Sequence, residues 1–275
     1  MTWPSDFTVD SLGTSIRIRS TEESFGESIR GLMGHFPASA EPPSRTFSIS
    51  HDDSGFSVER DGEARLTAAC WDEALIETLV LVNEATILGS QHLLVHAGVV
   101  ARGDGVVAFP ADKRAGKSTI VAECIRRGFD YVSDEVLVID PATDRVIPYP
   151  KALWLTLESR EALKLPDESL ATRIADEFKS PVMPDEVGGG VASGDLYLRH
   201  VVMLQRNGAA PGLVAKNQSE IAHELLAHSF NRDARPVEWF RTVGRLVRSC
   251  VGATLTYTKT GPAVDALENL LSECR

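Results

Sequence analysis

The most constraining feature of this sequence is the run A-D-K-R-A-G-K-S-T, from Ala111 to Thr119. It stands between Val106–Phe109, an apolar segment typical of a strand, and Lys117–Arg127, in which apolar residues recur at helical spacing. A loop that joins a strand to the N-terminus of a helix directs backbone N–H groups at one point, where the helix dipole adds positive potential. The run therefore predicts an α/β fold with a phosphate-binding loop.

The side chains of this run indicate what the loop would bind. Lys117 is expected to reach the β- and γ-phosphates of a nucleotide, and the Ser118 hydroxyl is expected to bind Mg²⁺. Arg114 stands where many such loops have a glycine, so the sequence leaves open that phosphate binding is impaired. The predicted nucleotide-binding residues are Ala111, Asp112, Lys113, Arg114, Ala115, Gly116, Lys117, Ser118 and Thr119.

Two carboxylates, Asp134 and Glu135, follow the next strand-like segment, Tyr131–Ser133. Because ligands of open α/β sheets lie beyond the C-terminal ends of strands, both side chains are expected to face the phosphate loop. One would hold Mg²⁺, and the other would accept a proton from an attacking hydroxyl. The alternative is a pair of solvated turn carboxylates. His96 lies in an otherwise apolar strand and is either a core residue or close to the phosphates.

Three segments together resemble the HPr kinase/phosphorylase family, and especially its HprK-related serine kinases. They are His96-Ala97-Gly98-Val99, the run Ala111 to Ser118, and Ser133-Asp134-Glu135. The resemblance is clearest over about residues 93–140 and implies a P-loop nucleotide-binding core. It also implies transfer of a phosphoryl group from ATP, with Mg²⁺, to a hydroxyl, which we expect to be a serine of a peptide or protein.

The same resemblance implies roles for individual residues. Asp134 would be the base on the acceptor hydroxyl, and Lys117 and His96 would assist catalysis. Glu135 and Ser118 would hold the metal. Two alternatives remain open: a small-molecule kinase, in which the glycine-rich segment 181–194 would be a mobile lid, and a nucleotide- or phosphate-sensing module without catalysis.

The rest of the chain divides into two predicted parts. Residues 1–70 are expected to form a small β-rich portion, and residues 71–275 the kinase-like α/β domain. One face of a predicted helix carries three arginines, Arg241, Arg245 and Arg248. This face is either solvated or a docking site for an acidic peptide or a second subunit. A homo-oligomer is therefore a possible state of this chain.

Composition limits the partners and the compartment. The formal net charge of −11 disfavours nucleic acid and anionic membranes, because phosphate groups would be repelled. The longest apolar stretch, Ala74 to Leu88, is too short and too polar to span a membrane. The four cysteines lack metal-binding spacing and are expected to be free thiols in a reducing cytosol. We therefore expect a cytoplasmic protein.

Overall fold

The computed structural model describes residues 2–112, 115–165, 179–206 and 210–273. The chain is a mixed α/β protein with several sheets, and it divides into two compact units. The first unit comprises residues 1–91 and 170–181, and the second comprises residues 92–169 and 182–275. Lys113 and Arg114 of the predicted loop, and Cys274, lie outside the described residues.

The first unit is built on a five-stranded sheet with the strand order β1-β2-β3-β4-β5. Strands β2 and β3 are parallel and the other neighbours are antiparallel, so helix α1 forms the crossover between β2 and β3. Its elements are β1 (Ser5–Ser11), β2 (Thr14–Ser20), α1 (Glu23–Leu32), β3 (Arg45–Asp52), β4 (Gly55–Arg60), β5 (Glu63–Ala68) and α2 (Trp71–Gly89).

Helix α2 belongs to the first unit, so the division falls after Gln91 and not after residue 70 as predicted. The helix packs against β4 and β5, and near its C-terminal end the Thr86 and Ser11 hydroxyls are hydrogen-bonded at 3.0 Å. A sheet of this size needs a second layer to bury its apolar face, and α2 supplies part of that layer. The apolar residues of this segment recur at helical spacing and indicate a helix, but not the elements against which it packs.

The second unit contains an eight-stranded sheet with the order β10-β9-β6-β7-β13-β15-β14, in which β8 also pairs with β6. Strand β10 pairs in addition with the start of β13, which closes a ring of five strands, β10-β9-β6-β7-β13. The strands of this sheet are β6 (Leu93–Arg102), β7 (Gly105–Pro110), β8 (Asp130–Ser133), β9 (Val136–Ile139), β10 (Arg145–Ile147), β13 (Leu196–Arg206), β14 (Gly212–Lys216) and β15 (Val251–Tyr257).

The remaining elements follow or connect these strands. They are α3 (Lys117–Arg126), β11 (Leu153–Leu155), α4 (Leu157–Leu163), β12 (Ser180–Val182), the 3₁₀ turn Asp185–Val187, α5 (Gln218–Ala227), α6 (Pro236–Leu246) and α7 (Thr260–Glu273). The predicted order of strand, loop, helix and strand from β7 to β8 is confirmed. Within the described ranges, no helix is long and apolar enough to cross a membrane.

Strand β6 positions the segments that the sequence singled out. Its residues Leu93–His96 pair with β9, its residues Val99–Ala101 pair with β8, and its other edge pairs with β7. Strands β7 and β8 are both antiparallel to β6, so they end on the same side of the sheet. The loop after β7 and the acidic turn Asp134-Glu135 after β8 therefore lie close together.

The glycine-rich segment, for which the sequence predicts mobility, is hydrogen-bonded to β8 in the structure. Tyr131 N donates a hydrogen bond to Gly190 O at 2.8 Å, and Ala192 N donates one to Tyr131 O at 2.8 Å. A Cβ on Gly189 would lie 2.3 Å from Ile125 Cγ2. Gly189 thus permits close packing of the segment on α3, which composition alone does not distinguish from flexibility.

Of the three arginines singled out, Arg241 and Arg245 lie in α6 and Arg248 follows it, and all three are exposed. Arg245 pairs with Asp144 at 2.6 Å and donates a hydrogen bond to Pro141 O at 2.9 Å, so it fastens α6 to the turn before β10. The cysteines in the described part of the chain, Cys70, Cys124 and Cys250, are free as predicted. Burial raises the pKa of the Cys250 thiol to about 12, which keeps it protonated and unreactive at neutral pH.

Candidate active site

The loop joins the N-terminus of helix α3 at Gly116. Gly116 precedes the helix with a φ of +91°, a left-handed conformation that favours glycine. A Cβ at this position would lie 2.9 Å from Tyr257 Oη, which itself donates to Ala115 O at 3.4 Å. Glycine is therefore required here both by the backbone angle and by the approach of β15. The first N–H groups of α3 have no partner within the helix.

The Lys117 side chain lies along the loop and is buried. Its ammonium donates hydrogen bonds to Ala111 O and Asp112 O, both at 2.8 Å. The charge is thus held over the start of the loop, where the sequence predicted a phosphate-binding ammonium. Ala111 and Asp112 are brought to Lys117 through their carbonyl groups.

Helix α3 packs directly on strand β6 because residue 98 has no side chain. A Cβ on Gly98 would lie 2.8 Å from Val121 Cγ2 and 3.4 Å from Lys117 Cβ. The family resemblance included Gly98 without a structural reason for it. The reason is the close approach of the helix, which fixes the height of Lys117 above the sheet.

The Ser118 hydroxyl donates a hydrogen bond to Asp134 Oδ2 at 3.0 Å. The Asp134 side chain is only 4% exposed, and Trp154 N donates to the same oxygen at 3.3 Å. Asp134 N in turn donates to Tyr131 Oη at 3.1 Å. Burial, together with the nearby Asp134 carboxylate, raises the pKa of the Tyr131 phenol well above its usual value. The predicted proximity of Ser118 and Asp134 is therefore present.

Lys151, a residue near a strand end that no motif spacing connects to the site, lies between the two carboxylates. Lys151 Nζ is 3.2 Å from Asp134 Oδ1 and 2.9 Å from Glu135 Oε2. Burial by itself would lower the pKa of this ammonium, but Asp134 and Glu135 outweigh burial and raise it. Lys151 therefore stays charged.

His96 lies beside the acidic turn. Its Nδ1 is 3.0 Å from Glu135 O, and because a carbonyl only accepts hydrogen bonds, Nδ1 carries the proton. Burial, followed by the charge of Lys117, lowers the pKa of His96, so the ring is neutral at pH 7. Its Nε2 is buried without a hydrogen-bond partner among the described residues. The ring contacts Phe230 edge-on, with centroids 5.5 Å apart.

The segment after α5 adds a further histidine to this region. His96 N donates to His228 O at 2.8 Å, and Phe230 N donates to Leu94 O at 2.8 Å. Asn231 fixes the segment, because its Nδ2 donates to His92 O at 2.8 Å. His228 Nε2 lies 3.6 Å from Asp112 Oδ1 of the loop. A long sequence separation conceals this contact, and no motif spacing indicates it.

Thr119, the last of the predicted nucleotide-binding residues, contacts helix α4. Thr119 Oγ1 is 2.8 Å from Ser159 Oγ, in the first turn of α4, and so ties α3 to α4. Glu135 does not lie at Ser118 but at Lys151, with its side chain 29% exposed. Of the two carboxylates, it is thus Asp134 that shares the predicted metal position with Ser118.

The side-chain oxygen atoms beside the N-terminus of α3 suit a Mg²⁺ ion that takes only some of its ligands from the protein. Within the described residues no group of three or more His, Cys, Asp or Glu side chains is arranged to hold a metal ion. Mg²⁺ commonly takes one or two protein oxygens and completes its shell with phosphate oxygens and water. Ser118 Oγ and Asp134 Oδ2, 3.0 Å apart, offer such a pair at the N-terminus of α3.

Comparison with known proteins does not assign this chain to a family. No family model matches its sequence, and no curated protein matches it. The resemblance described from the motifs therefore remains a prediction.

Proposed function

We propose that this chain is an ATP-dependent kinase that transfers the γ-phosphoryl group to a hydroxyl, with a serine of a peptide or protein as acceptor. The observation that carries the proposal is the hydrogen bond from Ser118 Oγ to Asp134 Oδ2 at 3.0 Å. It combines an anion-binding helix N-terminus with an adjacent carboxylate, as phosphoryl transfer with Mg²⁺ requires.

The binding of the nucleotide would fall to the loop and the start of α3. The N–H groups of the first turn would bind phosphate oxygens, and Lys117 would exchange its two carbonyl contacts for the β- and γ-phosphates. Bound Mg²⁺ would neutralise charge on the phosphate oxygens. Ser118 and Asp134 would hold the ion.

The accessibility of the two carboxylates supports a division of roles different from the one that the resemblance implies. Asp134 is almost fully buried, and both of its oxygens already have partners. Glu135 is 29% exposed and is the carboxylate that an incoming hydroxyl can reach. In the proposed reaction Glu135 therefore orients or deprotonates the acceptor, and the unpartnered Nε2 of His96 is available to accept a hydrogen bond beside it.

Binding of a fluorescent ATP analogue tests the first half of the proposal. Lys117→Ala is expected to weaken binding about 10- to 100-fold, because a charge-assisted contact to phosphate contributes roughly 1.5–3 kcal/mol. Lys216→Ala is the matched control. Lys216 Nζ pairs with Glu220 Oε1 at 2.7 Å, and neither residue belongs to the loop or to α3. Equal affinities for the two variants would contradict the proposed phosphate site.

Transfer of label from γ-labelled ATP tests the second half. The unsubstituted chain is incubated with serine-, threonine- and tyrosine-containing peptides and, separately, with small hydroxyl compounds. Labelled serine peptides would support the proposal, whereas label on a small molecule alone would indicate a small-molecule kinase. Binding of the analogue without transfer to any acceptor would indicate a nucleotide-sensing module.

A further inference from the structure

We propose that Lys151 is a built-in cation of this site, a positioning residue that holds Asp134 and Glu135 side by side and restricts the site to a single divalent ion. The inference rests on the proposed function and specifies how that site takes up metal. It is carried by geometry at the acidic turn, where one ammonium contacts both carboxylates.

The contacts of Asp134 separate the ammonium from the predicted metal position. Lys151 Nζ lies 3.2 Å from Oδ1, whereas Ser118 Oγ and Trp154 N donate to Oδ2. Lys151 also takes Glu135 Oε2 at 2.9 Å. The face of the acidic pair opposite Ser118 is thus closed by an ammonium, and one face remains for an ion.

The backbone of Lys151 is anchored to the strand that carries the acidic turn. Tyr131 Oη donates to Lys151 O at 2.8 Å, and Lys151 N donates to Tyr149 O at 3.0 Å. Tyr149 N donates in turn to Val132 O at 2.9 Å. The Lys151 side chain is only 16% exposed, so it has fewer accessible rotamers than a solvated surface lysine. The anchored backbone and the burial together fix the position of the ammonium.

The charges explain why such a cation affects metal uptake. Two neighbouring carboxylates repel each other, and burial strengthens the repulsion. Protein kinases neutralise comparable charge with two Mg²⁺ ions. Here the ammonium reduces the charge of the acidic pair from −2 to −1 and occupies the space where a second ion would contact both carboxylates. Removal of the ammonium exposes that space and restores the full charge.

The test counts bound Mn²⁺ by electron paramagnetic resonance, with a non-hydrolysable ATP analogue present. The unsubstituted chain and Lys151→Arg are expected to bind one ion. Lys151→Met is expected to bind a second ion, since the acidic pair has lost its competing charge. Without nucleotide, Lys151→Met is expected to bind Mn²⁺ about tenfold more tightly than the unsubstituted chain, a change that a neighbouring unit charge readily produces.

The controls separate this inference from the proposed function and from misfolding. Lys216→Met removes an ammonium from a half-buried ion pair outside the acidic turn and should leave Mn²⁺ binding unchanged. If Lys151→Met does not fold, Lys151→Gln retains a hydrogen-bond donor without the charge and should gain the second ion. Unchanged ion number and affinity in the neutral variants overturn the inference. Loss of analogue binding in the unsubstituted chain overturns the proposed function instead, and the nucleotide-free titration still decides the role of Lys151.

Discussion

The hydroxyl of Ser118 and the carboxylate of Asp134 meet at 3.0 Å, although they belong to the first turn of α3 and to the turn after β8. Both elements are positioned by β6, one above its Gly98 and the other beyond its pairing with β8. A ligand at the N-terminus of α3 would therefore meet a carboxylate without any rearrangement of the sheet.

Neutralising Asp134 and neutralising Glu135 are predicted to affect different steps, metal binding in the first case and phosphoryl transfer in the second. Asp134→Asn should weaken Mn²⁺ binding about tenfold or more, because it removes the carboxylate beside Ser118. Glu135→Gln should keep Mn²⁺ binding within about twofold and lower the rate of phosphoryl transfer about 100-fold or more, as loss of a general base does. Metal titration and single-turnover transfer are measured on the same samples.

Asp195→Asn provides the control for these two variants, because Asp195 forms an exposed pair with Arg145 at 2.9 Å outside the site. It should change neither measurement. If Asp134→Asn kept both full metal affinity and full transfer, the assignment of Asp134 to the metal position would be refuted.

Gly98→Ala is predicted to destabilise the second unit by about 1–3 kcal/mol, the range typical of overpacking. Its Cβ would lie 2.8 Å from Val121 Cγ2, so the helix must move away from β6. Since Lys117 is on that helix, affinity for the ATP analogue should fall as well. Urea unfolding and analogue binding report the two effects.

Gly244→Ala in α6 is the comparison for this substitution, because a Cβ there meets nothing within 4 Å. It should stabilise the helix slightly, by about 0.5–1 kcal/mol. A Gly98 variant as stable as the Gly244 variant would show that α3 does not need the close approach.

The glycine-rich segment is predicted to be protected from hydrogen exchange at two amides. Tyr131 N and Ala192 N form the hydrogen bonds that hold the segment, and both should exchange far more slowly than an open loop. Gly189→Ala, with its Cβ 2.3 Å from Ile125 Cγ2, should accelerate exchange at both. Fast exchange at these amides in the unsubstituted chain would restore the view of this segment as a mobile lid.

The stability of the second unit is predicted to fall as the pH drops below about 6.5, the usual pKa of histidine. Burial, and to a smaller extent Arg199, lowers the pKa of His200 in β13. A lowered pKa in the folded state contributes stability that is present above the unfolded pKa and is lost as the pH falls through the folded pKa. Urea unfolding between pH 7.5 and 5 measures this slope.

His200→Leu should flatten that slope without abolishing it, because the pKa of His96 is lowered in the same direction. The comparison uses the change of unfolding free energy with pH and not its absolute value, which the substitution also alters. An identical slope in the variant would exclude His200 as its source.

Part of the fold was predictable from local pattern. The strand–loop–helix order around Gly116 follows from the apolar segment before the loop and from the helical periodicity after it. Strands β1, β4 and β5 were not predicted, because these short segments contain few apolar residues and so carry little periodic signal. The division at Gln91 depends on what α2 packs against, which no local pattern encodes.

The candidate site was predictable only where its residues follow the ends of neighbouring elements. Ser118 and Asp134 met that condition. Lys151 did not, because it follows Pro148 and Pro150 in the segment after β10 and has no fixed spacing to the acidic turn. His228 reaches Asp112 from the segment after α5, more than a hundred residues further along the chain. Such contacts are set by tertiary packing.

The ring of strands described above has a consequence for assembly. Because β10 pairs with both β9 and the start of β13, the ring of five strands has no free edge at β10. A strand from another molecule therefore cannot add to the sheet there. Beyond β13 the sheet continues through β15 and ends at β14. The outer edge of β14 has no partner strand among the residues that the structure describes. Any association of copies through backbone pairing along this series of strands would therefore begin at β14.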